Sequence, residues 1–535
     1  MPGGVIHAAE IVFVLLLLFV VALGTLAQKL RIPYPIVLVI GGLLLSFVPG
    51  IPKITLDPDI VFLVILPPLL FSAAWLTSWR EFSYHLVSIL FLAFGLVAFT
   101  VLGVTLAVHW FLPGFDWRMG IVLGAVVAPT DAIAATSIAR RIGLPKRIVD
   151  ILEGESLVND ASALLALEFG IAILVGGETP TIAAGLLRLL YLTTTGIAVG
   201  LAIGGIVHWI EHHVDDGPIE IALSILTPYV AYLAAESMHA SGVLAVVACG
   251  LYLSRKSSHF FSPSVRLQAW SVWEALTFVI NGLVFVLLGL QLPYVLQAIR
   301  DYSLERLLAY GAIFSLFLIL LRLIWIFPGT YAANLIRTRV LRQNEKLPPV
   351  RQIFVIGWTG MRGVISLAAA IALPRVLAND APFTQRNLII FLAFSVILVT
   401  LVLQGLSLPP LIRALGLSAA AESDPEEKQA RQAILQAALT HLQAAREKDG
   451  TEFAEVYEDL AHHYRQRLAS LTEAGDEAGA RISPGLYRRS IDLSREILQV
   501  KRRAAVQLRN QGRINDELLR RIERELDLDE TRLSL

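Results

Sequence analysis

Long apolar segments separated by short polar loops fill the first 416 residues of the chain. The hydrocarbon core of a bilayer is about 30 Å thick, and a helix needs about 20 mostly apolar residues to cross it. By that measure the sequence contains about thirteen predicted transmembrane helices, near residues 10–27, 34–49, 59–77, 85–111, 118–139, 147–176, 181–210, 219–236, 239–254, 266–291, 304–335, 351–378 and 386–412. The pattern therefore predicts an all-α membrane protein.

The pattern changes in residues 417–535. Leu and Ile recur there at helical spacing, and charges of both signs cover the remaining positions, which is typical of amphipathic helices. Four tail helices are predicted, at about 425–448, 451–474, 484–512 and 513–526, with Gly and Pro residues between them. Their apolar faces need a partner surface, and a bundle, a dimer contact or a regulatory clamp on the membrane part would each supply one.

The composition divides the chain at the same place. Of the 535 residues 56% are hydrophobic, the mean hydropathy is +0.66, and the formal net charge is zero. The tail holds 19 of the 44 basic and 22 of the 44 acidic residues. We therefore predict a transmembrane domain in residues 1–416 and a soluble helical tail in residues 417–535. No soluble part is strongly basic, so a nucleic-acid partner is not expected, and the single cysteine, Cys249, excludes a disulfide within the chain.

Basic residues in the predicted loops give the orientation. Sixteen Lys and Arg residues fall on one side of the membrane and five on the other, and the richer side is cytoplasmic by the positive-inside rule. With thirteen helices, the N-terminus lies outside and the tail inside. No Lys or Arg precedes the first apolar run, so that run is predicted to be a retained helix rather than a signal peptide. The predicted location is the plasma (inner) membrane.

The sixth segment is unusual because polar residues interrupt its apolar run. Ser156 and Asp160 are four residues apart, as are Glu155 and Asn159, so each pair shares a face of the helix. A carboxylate inside the membrane is costly and is taken as functional by default. Asp160 could instead be neutralised by a basic residue, and Asn159 could simply bridge two helices.

Two other segments are predicted to be broken. Pro129 lacks an amide hydrogen and should interrupt the fifth segment at residues 128–130, which places Asp131 at the start of a second half-helix, as a cap or as a ligand. Gly357, Gly360 and Gly363 weaken the twelfth segment around the buried cation Arg362. If segments one to six are an inverted copy of eight to thirteen, the two breaks correspond. Paired breaks in two halves of a membrane protein indicate a transport site near the midplane.

The residue types indicate which cargo such a site would take. Asp131, Asp160, Ser156 and the loosened backbone supply hard oxygen ligands, which suit a small monovalent cation. Protons and cations compete for a buried carboxylate, because burial favours its protonated form and a bound cation favours its charged form. Proton-coupled cation antiport is the predicted activity. Thr130 and Ser156 could instead bond only their own backbone, and Glu155 and Arg362 are expected to form a structural ion pair.

Several stretches are similar to one known family. These are "LPPLLFSAAW", "APTDAIAATSIARR", "ILEGESLVNDASALL", "FVINGLVFVLLGLQL" and "GMRGVISLAAAIALP". Together they resemble the first family of monovalent cation:proton antiporters, the bacterial NhaP-like sodium/proton exchangers. The resemblance covers about residues 10–415 and implies a homodimer whose protomers have thirteen helices, two of them discontinuous and crossed.

The resemblance also implies a role for each site residue. Asp160 would carry the cation or the proton, and Asp131, Thr130 and Ser156 would complete the Na⁺ site. Asn159 followed by Asp160 implies electroneutral one-for-one exchange, serving pH and sodium homeostasis. Glu155 and Arg362 would form a buried pair that positions Asn159. Many relatives have an acidic residue where this chain has Ser72, which leaves an accessory ion contact from the third segment open.

Two other functions, an intramembrane protease and an ion channel, and two other cargoes, K⁺ and Li⁺, are alternatives to this prediction. An intramembrane aspartyl protease also uses two membrane aspartates, but its Tyr-Asp and Gly-x-Gly-Asp motifs are absent. An ion channel would need neither paired breaks nor a titratable site. Within the antiporter hypothesis, K⁺ or Li⁺ could replace Na⁺. No enzyme activity and no cofactor are expected, and the predicted partners are monovalent cations, protons, the lipid bilayer, a second copy of the chain and whatever the tail binds: a regulator or its own membrane domain.

Overall fold

The structure is a computed structural model that describes residues 3–48, 57–176, 181–214, 216–260, 263–300, 302–343, 347–377, 381–417, 425–449, 454–471, 484–511 and five scattered positions beyond. Within these residues it is all-helical, apart from an isolated bridge between Val376 and Pro382. The predicted all-α class is confirmed. The chain divides into two compact units, Met1–Ala419 and Ala420–Leu535, which are described separately.

The helices of the first unit follow one another with short connections. They are α1 (Gly3–Leu30), α2 (Tyr34–Leu45), α3 (Pro58–Ile60), α4 (Leu66–Leu76), α5 (Trp79–Leu90), α6 (Leu96–Phe111), α7 (Trp117–Val127), α8 (Ala132–Ile142), α9 (Lys146–Gly176), α10 (Ile182–Glu211), α11 (Gly217–Ser237), α12 (Gly242–Phe260), α13 (Pro263–Leu290), α14 (Leu292–Gln297), α15 (Leu304–Arg339), α16 (Val350–Trp358), α17 (Val364–Ile371), α18 (Arg386–Val399) and α19 (Gly405–Ala414).

Ten helical stretches of the described residues are long and apolar enough to cross a membrane. Each of the thirteen predicted segments coincides with a helix or with consecutive helical pieces. The total of thirteen crossings stays a prediction, because α2, α12 and the pair α16 and α17 are not among those ten. Large apolar side chains such as Phe13 and Leu187 are mostly exposed, as expected of helices that face lipid.

Both predicted breaks are present. α7 ends at Val127 and α8 begins at Ala132, so the interruption surrounds Pro129. α16 ends at Trp358 and α17 begins at Val364, so the second interruption contains Gly360 and Arg362. The prediction of two discontinuous helices is confirmed.

Among the residues that the structure describes, three wider turns of π-helix lie inside otherwise regular helices, which the sequence did not predict. They occupy Val61–Ile65, Phe91–Gly95 and Thr400–Gln404. A π-helical turn contains an extra residue and leaves backbone carbonyls available to other donors. The Ala93 carbonyl accepts a hydrogen bond from the Ser162 hydroxyl at 2.5 Å, which fixes α9 against this turn.

Helix α9 lies at the centre of the unit and carries four of the seven predicted site residues, namely Glu155, Ser156, Asn159 and Asp160. It packs against α5, α7, α8 and α12. Seventeen of its residues are buried, including Glu155, Asn159 and Asp160. These side chains therefore face protein rather than lipid.

The tail unit contains α20 (Pro425–Asp449), α21 (Ala454–Leu471) and α22 (Pro484–Asn510). Three of the four predicted tail helices are thus confirmed, and the fourth lies almost wholly outside the described residues. Arg446 on α20 donates a hydrogen bond to Glu458 on α21 at 2.7 Å. That hydrogen bond and the charge of Arg446 hold the pKa of the Glu458 carboxyl below its usual range.

Candidate functional site

The two helix breaks meet. The backbone N–H of Asp131, in the first break, donates to the Met361 carbonyl in the second at 2.8 Å. Gly363 lies so close that a Cβ atom there would be 2.5 Å from Asp131 Oδ2. The prediction that the discontinuous helices cross is confirmed, and the crossing leaves no space for a side chain at position 363.

Asp131 and Ser156 satisfy the backbone of the first break. Asp131 caps α8, its Oδ1 accepting the Ile133 N–H at 2.8 Å. Ser156 on α9 donates its hydroxyl to the Thr130 carbonyl at 2.9 Å and accepts the Ala132 N–H at 3.3 Å. Helix α9 therefore supplies hydrogen bonds that the interrupted helix cannot make within itself.

A second group of polar contacts lies around Thr130. Its hydroxyl donates to Glu155 Oε1 at 3.0 Å and accepts a hydrogen bond from Asn159 Nδ2 at 2.9 Å. Glu155 and Asn159 are 1% and 0% exposed. Thr130 therefore links the broken helix to both of these fully buried side chains of α9.

The ion pair at Glu155 differs from the one expected from the resemblance. Glu155 pairs with Arg322 of α15 and not with Arg362: Arg322 Nη1 donates to Oε1 at 2.5 Å and Nη2 to Oε2 at 2.8 Å. Arg322 also donates to the carbonyls of Gly357 and Ile356, at 3.1 Å each. These two carbonyls lie at the C-terminal end of α16. The Arg322 guanidinium therefore pairs with the Glu155 carboxylate and also satisfies carbonyls that have no partner within the second broken helix.

Arg362 has a different environment. Its backbone N–H donates to the Thr400 hydroxyl at 3.1 Å, and Nη1 donates to the Gly360 carbonyl at 3.2 Å. Its Nε has no hydrogen-bond partner in the described part of the chain, and the side chain is 2% exposed. Arg362 is thus a buried cation held by backbone carbonyl and charge, with Arg322 and Glu155 as its charged neighbours.

In front of the crossing lies a cavity of about 180 Å³. Four predicted ligands line it: Thr130, Asp131, Ser156 and Asp160. Asp160 is 5% exposed, and among the described residues no hydrogen bond or ion pair reaches its carboxylate. It differs in this from Glu155, whose oxygens are both bonded. Asn159 does not line the cavity; its amide points to Thr130, behind it.

Two further groups at the site are Arg322 and Asn281. Arg322 stands alone in the apolar run "FLILLRLIWIF", and from the sequence it could either pair with an acid or line a water-filled funnel. Asn281 of α13 lines the cavity and is 2% exposed; it lies in the apolar run "FVINGLVFVL". Ser72, at the position left open above, donates its hydroxyl to Leu69 of its own helix at 2.9 Å and does not line the cavity.

Comparisons with known proteins agree with this geometry. The family model described as "Sodium/hydrogen exchanger, transmembrane" matches residues 14–414. An uncharacterised Na⁺/H⁺ exchanger of Mycobacterium tuberculosis is 34% identical, over 98% of this chain and 96% of its own. A sodium, potassium, lithium and rubidium/H⁺ antiporter of Bacillus pumilus is 33% identical, over 88% of this chain and 70% of its own. The Na⁺/H⁺ antiporter ApNhaP of Aphanothece halophytica is 32% identical, over 77% and 76%.

A solved structure supports the fold separately. The sodium proton antiporter MjNhaP1 from Methanocaldococcus jannaschii superposes with a TM-score of 0.59 over 78% of this chain and all of its own, at 21% identity. The residues matched by the family model, 14–414, include both helix breaks and α9. The chain belongs to the sodium/hydrogen exchanger family of transmembrane transporters.

Proposed function

We propose that this protein is a secondary active antiporter that exchanges Na⁺ for H⁺ across the plasma membrane, one for one, by alternating access and without ATP. The observation that carries the proposal is Asp160: a buried carboxylate without a protein partner in the described residues, at the crossing of two broken helices and beside a cavity. A charge in such a place costs about 2.5–3.5 kcal/mol. A proton or an alkali cation on the carboxylate removes most of that cost.

The chemistry of exchange follows from competition. A proton converts the Asp160 carboxylate to the neutral acid, and Na⁺ binds only to the ionised form. The carrier then moves across loaded with one or the other, because the unloaded site carries a buried, unpaired charge. Asp131, Ser156 and Thr130, which line the same cavity, supply the remaining oxygen ligands for Na⁺.

The charges at the crossing support electroneutral exchange. Three carboxylates, Asp131, Glu155 and Asp160, lie near two guanidiniums, Arg322 and Arg362. If all are ionised, the sum is one negative charge, which a single proton or a single Na⁺ neutralises. Asn159 is neutral and keeps the sum at this value, since an acid in its place would add a second exchangeable charge. Its amide donates a hydrogen bond to Thr130 and does not line the cavity, so Asn159 acts as a positioning residue.

Transport by purified protein in lipid vesicles tests the proposal. An outward Na⁺ gradient is expected to drive proton uptake, recorded with a pH-sensitive dye, and Asp160→Asn should reduce the rate at least a hundredfold, because an amide cannot exchange a proton. A matched control is Asp116→Asn, which alters an exposed carboxylate that caps α7 and should leave the rate unchanged. Normal transport by Asp160→Asn would reject the site.

K⁺/H⁺ exchange is the second candidate. The Bacillus pumilus relative is named for sodium, potassium, lithium and rubidium, and the cavity presents only oxygen ligands, which all of these ions accept. Initial rates with Li⁺, Na⁺ and K⁺ gradients decide between the candidates. Rates with K⁺ that match or exceed those with Na⁺ would make K⁺ a physiological cargo.

We also infer the orientation of the chain in the membrane, its assembly and the role of its tail. The N-terminus lies outside and the tail in the cytoplasm, as the sixteen basic residues on that side indicate. Two protomers form a homodimer, and the exchange serves pH and sodium homeostasis. The tail binds a regulator or its own membrane domain. Comparing the full chain with a chain that ends at residue 416 measures the tail's effect on transport.

A further inference from the structure

The cavity walls differ in polarity. Residues 130–160 contribute six polar lining side chains, namely Thr130, Asp131, Thr136, Glu153, Ser156 and Asp160. A second wall, which we call the α4/α13 wall, consists of residues 61–76 together with Asn281, Val284 and Phe285. Within the described lining, Asn281 is the one polar side chain of this wall.

Asn281 is also unusual in its hydrogen bonding. The side chain is 2% exposed, and its Nδ2 has no partner among the described residues. Leaving a buried amide donor unsatisfied costs about 1–3 kcal/mol. The amide nitrogen cannot bind a cation, so the carbonyl oxygen Oδ1 of the same group is the ligand that this wall offers to cargo in the cavity.

The position of Asn281 is fixed by its helix. α13 packs closely along α2, and a Cβ atom on Gly42 of α2 would overlap the Val286 carbonyl of α13. The ring of Phe278, one turn before Asn281, packs on Tyr34 with 5.8 Å between ring centroids. The Tyr34 hydroxyl is a polar neighbour of the Asn281 amide and within electrostatic reach of Asp131. Asn281 therefore lines the cavity from a closely packed pair of helices.

We propose that Asn281 is the cation contact of the α4/α13 wall and sets the preference among alkali ions, an inference that rests on the proposed function for its meaning in transport. Nδ2 is buried and has no accessible surface toward the cavity, so the carbonyl oxygen Oδ1 is the amide atom that contacts the cation on Asp160, directly or through a water. When Asp160 carries a proton instead, Oδ1 accepts a hydrogen bond from the neutral acid.

This assignment predicts selectivity. An amide oxygen is a hard ligand, and its attraction to a cation falls with distance. Li⁺ and Na⁺ approach it more closely than K⁺. Loss of the amide should weaken binding of the smaller ions most.

Cation binding tests the proposal without relying on transport. Purified protein is titrated with Li⁺, Na⁺ or K⁺ in detergent at alkaline pH, and the dissociation constant is read from the rise in thermal unfolding temperature. Asn281→Ala should raise the constants for Na⁺ and Li⁺ about tenfold and that for K⁺ about threefold. Asn281→Asp, which keeps the shape and adds a carboxylate, should lower all three. A purely structural role would not move the constants in opposite directions.

Two controls separate the possible causes. Ser72→Ala removes a hydroxyl of α4 that bonds its own helix and should leave cation binding unchanged. Tyr34→Phe should also leave it unchanged, so an effect equal to that of Asn281→Ala would place the contact in the Tyr34 hydroxyl and overturn the proposal. Unchanged constants in both Asn281 variants would overturn it as well, as would a wild type that no cation stabilises. Binding with the expected shifts but no cation-driven proton flux would instead reject antiport and keep the Asn281 contact.

Discussion

Glu155 and Asp160 lie five residues apart on one helix and are almost equally buried, but their surroundings are opposite. Glu155 accepts hydrogen bonds from both terminal nitrogens of Arg322 and from Thr130. Asp160 accepts none from the described residues and borders a cavity. Burial alone thus does not identify an exchangeable carboxylate. The number of fixed partners does, because only an acid without them can trade a proton for a cation at low cost.

Neutralising Glu155 and Asp160 in turn and measuring stability tests the difference between the two acids most directly. Glu155→Gln leaves the Arg322 guanidinium buried without its counter-charge, which should lower the free energy of unfolding by about 3–5 kcal/mol. Asp160→Asn removes an uncompensated charge and should cost nothing. Thermal unfolding in detergent, followed by tryptophan fluorescence, measures both.

Two further variants sharpen this result. The double variant Glu155→Gln, Arg322→Gln removes both charges and should recover part of the loss, since replacing both members of a buried pair costs less than removing one. Glu458→Gln, in the tail, changes an exposed glutamate and should have little effect. Equal losses in Glu155→Gln and Asp160→Asn would contradict the division between the two acids.

Substitutions at the two glycines of the second break, Gly360 and Gly363, are expected to have effects of intermediate size. A Cβ atom on Gly360 would overlap the Arg322 side chain, whereas one on Gly363 would press on Asp131. Gly360→Ala should therefore destabilise the protein by about 1–3 kcal/mol through overpacking. Gly363→Ala should mainly raise the KM for Na⁺, by about tenfold, because it displaces a cation ligand. Unfolding temperature and vesicle transport, measured on both variants, separate the effects.

Gly185→Ala is the control for both substitutions. No atom lies within 4 Å of a Cβ placed there on α10, and alanine favours helix over glycine by about 1 kcal/mol. Its unfolding temperature should stay equal or rise. If Gly360→Ala altered only the KM and Gly363→Ala only the stability, the assignment of the two glycines would have to be reversed.

The smallest expected effect is at Thr130, which donates a hydrogen bond to Glu155 and lines the cavity together with Asp160. Thr130→Val removes the hydroxyl between Glu155 and Asn159 and leaves the Asn159 amide without its acceptor, at a cost of about 1–2 kcal/mol. The Thr130 carbonyl and its hydrogen bond from Ser156 are retained, so the KM for Na⁺ should change less than threefold. The measurements are again unfolding temperature and transport rate.

Thr130→Ser restores the hydroxyl and should recover wild-type stability. Thr194→Val is a matched control, because that hydroxyl is exposed and donates to the Leu190 and Tyr191 carbonyls of its own helix. If Thr130→Val kept full stability but changed the KM strongly, the hydroxyl would have to be assigned as a cation ligand and not as a hydrogen-bond link between Glu155 and Asn159.

The sequence was sufficient to predict the helical class, both breaks and the residues of α9, for identifiable reasons. Pro129 removes a backbone donor, glycines weaken the second break, and carboxylates inside apolar runs are conspicuous. Four of the predicted ligands indeed line one cavity. These signals are local, and each can be recognised within a few residues of the chain.

The partner of Glu155 could not be predicted in the same way. Arg322 and Arg362 both stand in apolar segments, and the choice between them depends on how α15 and the second break pack against α9. The resemblance favoured Arg362, and the structure pairs Glu155 with Arg322. Asn281 was missed for a related reason, since a single amide in an apolar run gives no indication of which cavity it faces.

Two of the π-helical turns bring an extra residue into helices that brace the site. Thr400, which accepts the amide hydrogen of Arg362, begins one such turn, and Ala93, which accepts a hydrogen bond from Ser162 of α9, lies in another. Rewinding a π-helical turn to ordinary pitch would shift the helix beyond it by about 1.5 Å, the rise of one residue, and would also rotate it. The contacts that Thr400 makes with the second break and Ala93 with α9 therefore depend on these turns keeping their wider pitch.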